Sequence, residues 1–304
     1  MLSLLCLTAS AASARIVSLS GTTYTKHFII HHRSDSRSNA QVVGEASELW
    51  YREISSRLHI TKPLLQPIPM YLYRNQKDFS DATGYEKPGH ALGRASTKGY
   101  IDLDSSGIFA PAGQVAGHEI VHVLIFHILE GDANLLPLWM NEGAAKFMTK
   151  DWDTVDATIL ADAATDGSLM PLSTLNHRFP NGPRETLAYT ESASAVRYIV
   201  DKYGEKSLAE LIHKTAETRS FEKAMIDVTG VSVSEFEQKW QRSVEGYHPV
   251  LQIIRTVAVI GGLVMPLLAI AAYLALRRRK QRIIDQYEQD EWEEANWKDW
   301  GGGS

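Results

Sequence analysis

The chain has 304 residues, a formal net charge of −5 and an apolar fraction of 44%. This length allows one or two domains, and the apolar fraction is ordinary for a globular protein with a buried core. The composition does not indicate the basic face that nucleic-acid binders usually carry, so no nucleic-acid partner is predicted. Cys6 is the only cysteine, which excludes a disulfide framework and a cysteine-based metal site.

Residues 1–15 have the pattern of a secretory signal segment. A short apolar run precedes Ala12-Ser13-Ala14, which is similar to the small-residue site where signal peptides are cleaved. Signal peptides usually carry a Lys or Arg before the apolar run, and none is present here. A plain apolar N-terminus is therefore the alternative interpretation.

Residues 20–246 are predicted to form one soluble domain. Its first part is typical of a small sheet, with strands predicted at 26–32, 67–73, 91–95 and 99–103. Residues 39–58 carry apolar side chains at helical spacing and predict an amphipathic helix. From Gln114 onward the pattern is mostly helical, and Gly204 and Gly230 stand where helices are expected to end. This order predicts an α+β fold, with a small N-terminal mixed sheet and helices followed by a mostly helical half.

The helix predicted from Gln114 onward contains His118, Glu119 and His122 in an H-E-x-x-H pattern. Positions i and i+4 of a helix lie about 40° apart, so both imidazoles project from one face and can reach one metal ion. Imidazole nitrogen is a common zinc ligand. Glu119 follows the first histidine by one residue, where its carboxylate can accept a proton from a metal-activated water.

A third ligand would decide between a metal site and a chance pattern, and several downstream residues are candidates. A metzincin would need Gly and His where this chain has Ile125 and Ile128, so that class is excluded. His127 faces about 140° away from the second histidine on a helix. Glu130 lies too far along the helix axis, and Asp132 is an option in the turn that follows.

Glu142 is the best candidate for the third ligand. A turn ends the first helix near Pro137, and a second helix that returns antiparallel can bring the Glu142 carboxylate to the two imidazoles. The small residues Gly143, Ala144 and Ala145 would let the two helices approach closely. Two histidines, one glutamate and an open position form the pattern of a catalytic zinc site.

Residues 252–276 are predicted to be a transmembrane helix. Residues 256–276 contain no charge, and 21 helical residues span about 30 Å, the thickness of the hydrocarbon core. Basic residues follow directly at 277–280, whereas only Arg255 lies close on the other side. The positive-inside rule then predicts a cytoplasmic C-terminus and an extracytoplasmic soluble domain. A buried helix of a soluble protein is the alternative interpretation.

Residues 277–304 form a tail that carries charges of both signs. Trp292, Trp297 and Trp300 lie within it, and the last four residues resemble a flexible linker. Such a composition predicts a disordered or peripheral segment that could dock a cytoplasmic partner.

The motifs at 118–122 (HEIVH) and 136–147 (LPLWMNEGAAKF) resemble the gluzincins, and most closely the small peptidase-MA-like domains of bacteria. The resemblance continues into the helical half and covers roughly residues 65 to 242. It implies a zinc ion bound by His118, His122 and Glu142, with Glu119 as the general base. It also implies that the strand before the metal helix, at 91–95 or 99–103, pairs with an extended peptide substrate.

The chain departs from the gluzincin pattern at two places. Thermolysin-like members carry an aspartate four residues after the glutamate ligand, where this chain has Lys146, so the hydrogen-bond partner of His118 stays unassigned. Gluzincin aminopeptidases carry a Gly-x-Met-Glu-Asn segment, and nothing between Pro88 and Gly117 matches it. An aminopeptidase of that type is therefore not expected.

Peptide hydrolysis also needs a hydrogen-bond donor for the oxyanion that develops in the transition state. Tyr189 is the candidate, because it opens a helix that is expected to pack beside the site. A core or rim tyrosine is the alternative interpretation, and His177 is a second candidate donor. His31, His32 and His90 fit strand or surface positions better than ligand positions.

Together these features predict a single-pass protein of the cell membrane, with an extracytoplasmic peptidase domain that contains zinc. It would hydrolyse peptide or protein substrates with a metal-activated water and Glu119 as general base. Two alternatives stay open. One is a catalytically inactive gluzincin-like domain that acts as a binding or scaffold module. The other is a membrane interaction protein that acts mainly through its tail.

Overall fold

The computed structural model describes residues 19–84, 91–244, 264–282 and 288. The chain separates into two units, residues 1–245 and residues 246–304. In the first unit the described residues form a five-stranded mixed sheet followed by a mostly helical half. The α+β order predicted from the sequence is confirmed.

The sheet combines parallel and antiparallel pairs. Its strands are β1 (Gly21–Tyr24), β2 (Phe28–His32), β3 (Ile68–Tyr73), β4 (Gly93–Ala95) and β5 (Ile101–Asp104). Their order is β1-β2-β3-β5-β4, with β2, β3 and β5 parallel and the two outer strands antiparallel to their neighbours. Within the described sheet, β4 therefore lies at an edge and β5 is paired on both sides. The four predicted strands are confirmed with bounds that differ by one or two residues, and β1 was not predicted.

The first three helices contact strands of the sheet, and the later helices pack mainly on other helices. They are α1 (Arg37–Arg57), α2 (Gln76–Thr83), α3 (Ala112–Ile128), α4 (Leu138–Met148), α5 (Thr154–Asp166), α6 (Pro183–Tyr203), α7 (Ser207–Thr218), α8 (Phe221–Thr229) and α9 (233–244). Gly204 and Gly230 end α6 and α8 with φ values of 100° and 77°, as the sequence predicts. The predicted amphipathic helix is confirmed as α1, and α2 was not predicted.

The core begins between one face of the sheet and helices α1 and α3 and continues into the helical half. Side chains alternate between the two faces of each strand, so Ile30, Met70 and Leu103 all point to this face and are fully buried. Burial of each such side chain stabilises the fold by about 1.5–3 kcal/mol. Helix α3 contacts β4 and β5 on one side and α4 on the other, so it is buried almost all round. This position makes α3 the central element of the domain.

In the second unit, the structure describes a helix over residues 264–282 with exposed side chains. Among the described residues, no helix is both long enough and apolar enough to cross a bilayer. The first part of the predicted span, residues 252–263, lies outside the described residues, as do the signal-like residues 1–15, His90 and the tail residues 289–304.

Candidate metal centre

Helices α3 and α4 bring His118, His122 and Glu142 together. The Nε2 atom of His118 lies 3.2 Å from Oε2 of Glu142, and the Nε2 atom of His122 lies 3.5 Å from the same oxygen. The candidate ligand atoms of the three residues all lie within 4.8 Å of one another. The carboxylate from α4 therefore faces both imidazoles of α3, as the sequence predicts.

The geometry of this group fits a zinc ion. Zinc binds imidazole nitrogen and carboxylate oxygen at about 2.0–2.2 Å, and tetrahedral angles then place the ligand atoms about 3.4 Å apart. The two distances to Glu142, 3.2 and 3.5 Å, are close to that value. Two imidazoles and one carboxylate leave a fourth position for water or substrate, as in catalytic zinc sites.

The charges of His122 and Glu142 stabilise each other. Burial by itself lowers the pKa of His122, but the Glu142 carboxylate outweighs this effect and raises the pKa to about 9. Burial opposes ionisation of Glu142, yet His122 and His118 hold the pKa of its carboxyl well below the usual range. A carboxylate that stays ionised in a buried site is well suited to balance the charge of a metal cation.

Glu119 is buried beside His118, His122 and Glu142, which are called the metal group below, and it packs against strand β4. Burial raises the pKa of its carboxyl, although His122 and His118 oppose that rise, as does a backbone hydrogen bond from Ala95. A β-carbon on Gly93 would lie only 2.5 Å from Oε1 of Glu119. Residue 93 must therefore lack a side chain for the Glu119 carboxyl to occupy this position.

Asn141 orients the imidazole of His122. Oδ1 of Asn141 lies 3.1 Å from Nδ1 of His122. With Nε2 directed at Oε2 of Glu142, Nδ1 carries the proton, and this N–H donates a hydrogen bond to Oδ1 of Asn141. The ring of Phe126, one turn further along α3, stacks on the same imidazole with centroids 6.2 Å apart. The role of Asn141 was not predicted, although its place directly before Glu142 in the sequence is a signal for it.

Replacing Asn141 by alanine is expected to lower zinc affinity about 10- to 100-fold, because partners of this kind fix the orientation of metal-binding histidines. Asn141→Asp should retain most of the affinity, since a carboxylate also accepts a hydrogen bond from the Nδ1–H group of His122. Competition with a chromophoric chelator measures both values. Asn134→Ala is the control, because Asn134 also lines the cavity around the metal group. Unchanged affinity in Asn141→Ala would contradict the assigned role.

Two of the other candidates for a third ligand, His127 and Asp132, have different partners. His127 Nε2 donates to the backbone oxygen of Lys62 at 2.8 Å. Asp132 forms an ion pair with Arg219 at 2.6 Å. These contacts hold both side chains in structural interactions and leave Glu142 as the residue that meets the two imidazoles.

The histidines of strand β2 have structural contacts. His32 is buried, with Nδ1 2.6 Å from the backbone oxygen of Arg33 and Nε2 3.0 Å from the Thr23 hydroxyl. The ring of His31 stacks on Tyr71 with centroids 5.0 Å apart. The prediction that both are strand residues is confirmed.

Lys146 occupies the position where thermolysin-like gluzincins have an aspartate. Its ammonium nitrogen lies 3.4 Å from Asp156 and 3.5 Å from Asp151, so the lysine joins α4 to the start of α5. The described residues provide no hydrogen-bond acceptor for Nδ1 of His118, which leaves the partner of this imidazole unassigned.

The metal group lies in a cavity of about 1090 Å³. Strand β4 lines part of it, and Tyr189 and His177 line another part. The ring of Phe179 packs edge-on against Tyr189, with centroids 4.8 Å apart. Both candidate oxyanion donors therefore face the cavity that contains the metal group, and the choice between them stays a prediction.

Comparison with known proteins decides the family. A model of the Peptidase MA superfamily matches residues 57–246, which is more than half of the chain. The chain belongs to the Peptidase MA superfamily. The resemblance predicted from the HEIVH and LPLWMNEGAAKF motifs is therefore confirmed at the level of the superfamily. Zinc is the metal that the superfamily and the His-His-Glu group both imply.

The similar proteins found by comparison are longer than the region that they share with this chain. The uncharacterized protein YhcO of Bacillus subtilis (strain 168) is 28% identical over 158 residues, 50% of this chain and 44% of that protein. The glutamyl aminopeptidase of Bitis rhinoceros is 30% identical over 164 residues, 46% of this chain and 17% of that protein. An M1 zinc metallopeptidase structure from Deinococcus radiodurans matches with a TM-score of 0.41 and 16% identity, over 75% of this chain and 50% of that chain. The chain thus spans half or less of each relative.

Proposed function

We propose that this chain is a zinc-dependent peptidase that hydrolyses peptide bonds. The observation that carries the proposal is the convergence of His118, His122 and Glu142 beside the buried carboxyl of Glu119. The group lines a cavity of about 1090 Å³, which is large enough to admit several residues of a peptide.

The side chains divide the chemistry between them. A zinc ion held by His118, His122 and Glu142 would supply a Lewis acid that polarises the scissile carbonyl and lowers the pKa of water. Glu119 takes the proton of the attacking water and returns it to the leaving amine. A raised pKa suits this role, because a general base works best when its pKa lies near the working pH.

The edge of the sheet offers a place for the substrate backbone. Strand β4 pairs only with β5 in the described sheet, so its outer edge can pair with an extended peptide. Gly93, Arg94 and Ala95 all line the cavity. Of the two strands considered from the sequence, we therefore propose the one within 91–95 as the substrate strand, because β5 has neighbours on both sides.

Tyr189 is proposed as the hydrogen-bond donor to the transition state. Tyr189→Phe is expected to lower kcat about 10²- to 10³-fold, the usual cost of losing one oxyanion donor, with zinc content unchanged. His177→Ala is the matched comparison, since His177 lines the same cavity. Steady-state kinetics of both variants would decide: a loss confined to His177→Ala would assign the donor role to the histidine.

The proposal is tested by metal analysis and by cleavage assays on the purified full chain. We expect about one zinc ion per chain, cleavage of peptides in a mixture read by mass spectrometry, and loss of cleavage with a chelator that zinc restores. Zinc binding without cleavage of any peptide would instead favour the alternative function, a binding or scaffold module.

We further propose, from the sequence alone, that the chain is anchored in the cell membrane through residues 252–276, with the peptidase domain outside the cytoplasm and the tail inside. The uncharged stretch at 256–276 and the basic residues at 277–280 support this orientation. Extraction of membranes at alkaline pH tests the anchor, and reporter fusions at the C-terminus test the orientation. Release of the chain by alkaline extraction would exclude a membrane-spanning anchor.

A further inference from the structure

The segment between α5 and α6, residues 169–177, is here called the strap. It contains a 3-10 turn at Leu172–Leu175 and reaches the cavity at Asn176 and His177. The backbone oxygen of Asn176 accepts a hydrogen bond of 2.8 Å from the N–H of Leu138, the first residue of α4. Because α4 carries Glu142 one turn later, the position of the strap is connected to a predicted metal ligand.

Two carboxyl groups from different helices hold the strap. Oε1 of Glu191, on α6, accepts the N–H of Met170 at 2.9 Å. Oε1 of Glu237, on α9, accepts the N–H of Leu172 at 3.0 Å. Pro171 lies between them and has no N–H to donate. Both backbone donors in this part of the strap are therefore bonded to carboxyl oxygens.

Glu191 differs from an ordinary carboxylate because it is fully buried. Within the described residues, its Oε2 atom has no hydrogen-bond partner. Burial raises the pKa of Glu191 to about 8; the charge of Glu237 adds to the rise, and Arg184 and the Met170 N–H oppose it. Lys146 of α4 and Asp156 of α5 form an ion pair, and both helices pack on α6. The hydroxyl of Thr190, the residue before Glu191, donates a hydrogen bond to Oδ1 of Asp156.

We propose that Glu191 is a positioning residue for the cleft, and that its uncharged carboxyl holds the strap in place while its ionised form loosens it. The role in catalysis rests on the proposed peptidase function. The role in holding the strap depends only on the contacts of Glu191 with Met170 and of Glu237 with Leu172.

The expected dependence on pH follows from proton binding. When the strap opens and Glu191 meets water, its pKa returns toward the ordinary 4.5, whereas it is about 8 in the closed form. Between these values the closed form binds more protons, so opening becomes about tenfold more favourable for each unit of rising pH. Above about pH 8 the closed form is itself ionised, and the Glu191 carboxylate then lies near that of Glu237.

Hydrogen exchange of the full chain, read by mass spectrometry over residues 169–177, tests the strap directly. Glu191→Gln is the informative variant, because glutamine keeps the size and an accepting oxygen but cannot ionise. The opening constant of the strap should rise about 100-fold between pH 5 and pH 7 in the unsubstituted chain, compared with its change in Glu191→Gln over the same range. Glu210→Gln, which changes an exposed carboxylate on α7, should behave like the natural chain. An equal pH dependence in Glu191→Gln and the natural chain would overturn the proposal.

Steady-state kinetics of the zinc-loaded chain provide a second test of the role of Glu191. KM should rise with pH up to about 8, where the opening equilibrium levels off, and this rise should be absent in Glu191→Gln while zinc content stays the same. Glu237→Gln removes a charge that raises the pKa of Glu191, so the transition should move to lower pH. This second variant decides the matter if Glu191→Gln does not fold. If the natural chain cleaves no peptide, the peptidase proposal fails, whereas the exchange experiment still decides the role of Glu191 in the strap.

Discussion

Glu119→Gln is expected to lower kcat about 10²- to 10⁴-fold while the chain still binds zinc. General acid–base catalysis contributes a factor of this size, and an amide cannot take the proton from water. Glutamine has nearly the same shape as glutamate, so it fits the narrow space against Gly93, where a β-carbon would already meet the Glu119 carboxyl. The loss should therefore come from chemistry rather than from a change in packing.

The measurement combines steady-state kinetics on a cleaved peptide with metal analysis of the same sample. Glu130→Gln is the control, because this exposed carboxylate follows the end of the same helix and is absent from the cavity lining. We expect the control to match the unsubstituted chain in both kcat and zinc content. Turnover in Glu119→Gln within a few-fold of the natural chain, with zinc bound, would mean that another group accepts the proton.

Local patterns were sufficient to predict the metal helix and the strands of the core. His118 and His122 share one face of any α-helix, so their convergence needs no knowledge of the rest of the fold. Alternating buried residues identified β2 and β3. These features depend on neighbours within a few residues, and the sequence displays such neighbours directly. Gly143 was expected to let α4 approach α3, but the structure places it against the backbone of α6 at Ser192.

Two elements escaped prediction because their local signals are weak. Strand β1 (Gly21–Tyr24) is polar and buries little, so it shows no alternation of apolar residues. Helix α2 (Gln76–Thr83) has eight residues and buries only Phe79 among its described side chains. Its first turn is stabilised by the Asn75 side chain, which accepts a hydrogen bond from the N–H of Asp78. That cap was visible in the sequence as an asparagine before a polar segment.

Contacts between distant parts of the chain explain what else could not be predicted. The fit of Gly93 against Glu119 depends on how β4 lies on α3, and the edge position of β4 depends on the order of the whole sheet. The strap contacts of Glu191 and Glu237 join residues 21 and 65 positions apart in the sequence. Spacing within a sequence cannot specify such pairs, because tertiary packing decides them.

Gly143, the residue after Glu142, allows the backbones of α4 and α6 to pack directly against each other. A β-carbon on Gly143 would lie 2.6 Å from the carbonyl carbon of Ser192 and closer still to its oxygen, and both belong to the backbone of α6. A backbone group cannot rotate out of the way as a side chain can. The two helices would have to separate by about 1 Å to restore ordinary contact distances, as overpacked interfaces do.

Gly143→Ala is therefore expected to destabilise the fold by about 2 kcal/mol, because a clash of about 3 kcal/mol outweighs a gain of about 1 kcal/mol in helix propensity. Displacement of the adjacent Glu142 should also lower zinc affinity by about tenfold or more. Urea denaturation followed by far-ultraviolet circular dichroism gives the first value, and chelator competition gives the second. Gly44→Ala in α1 is the matched comparison, since its β-carbon would meet side-chain atoms only, Cδ1 of Ile30 at 2.9 Å and Cγ2 of Thr25 at 3.0 Å. It should destabilise the fold less than Gly143→Ala and leave zinc affinity unchanged. Equal stability and zinc affinity in the two variants would show that α6 does not confine the helix that carries Glu142.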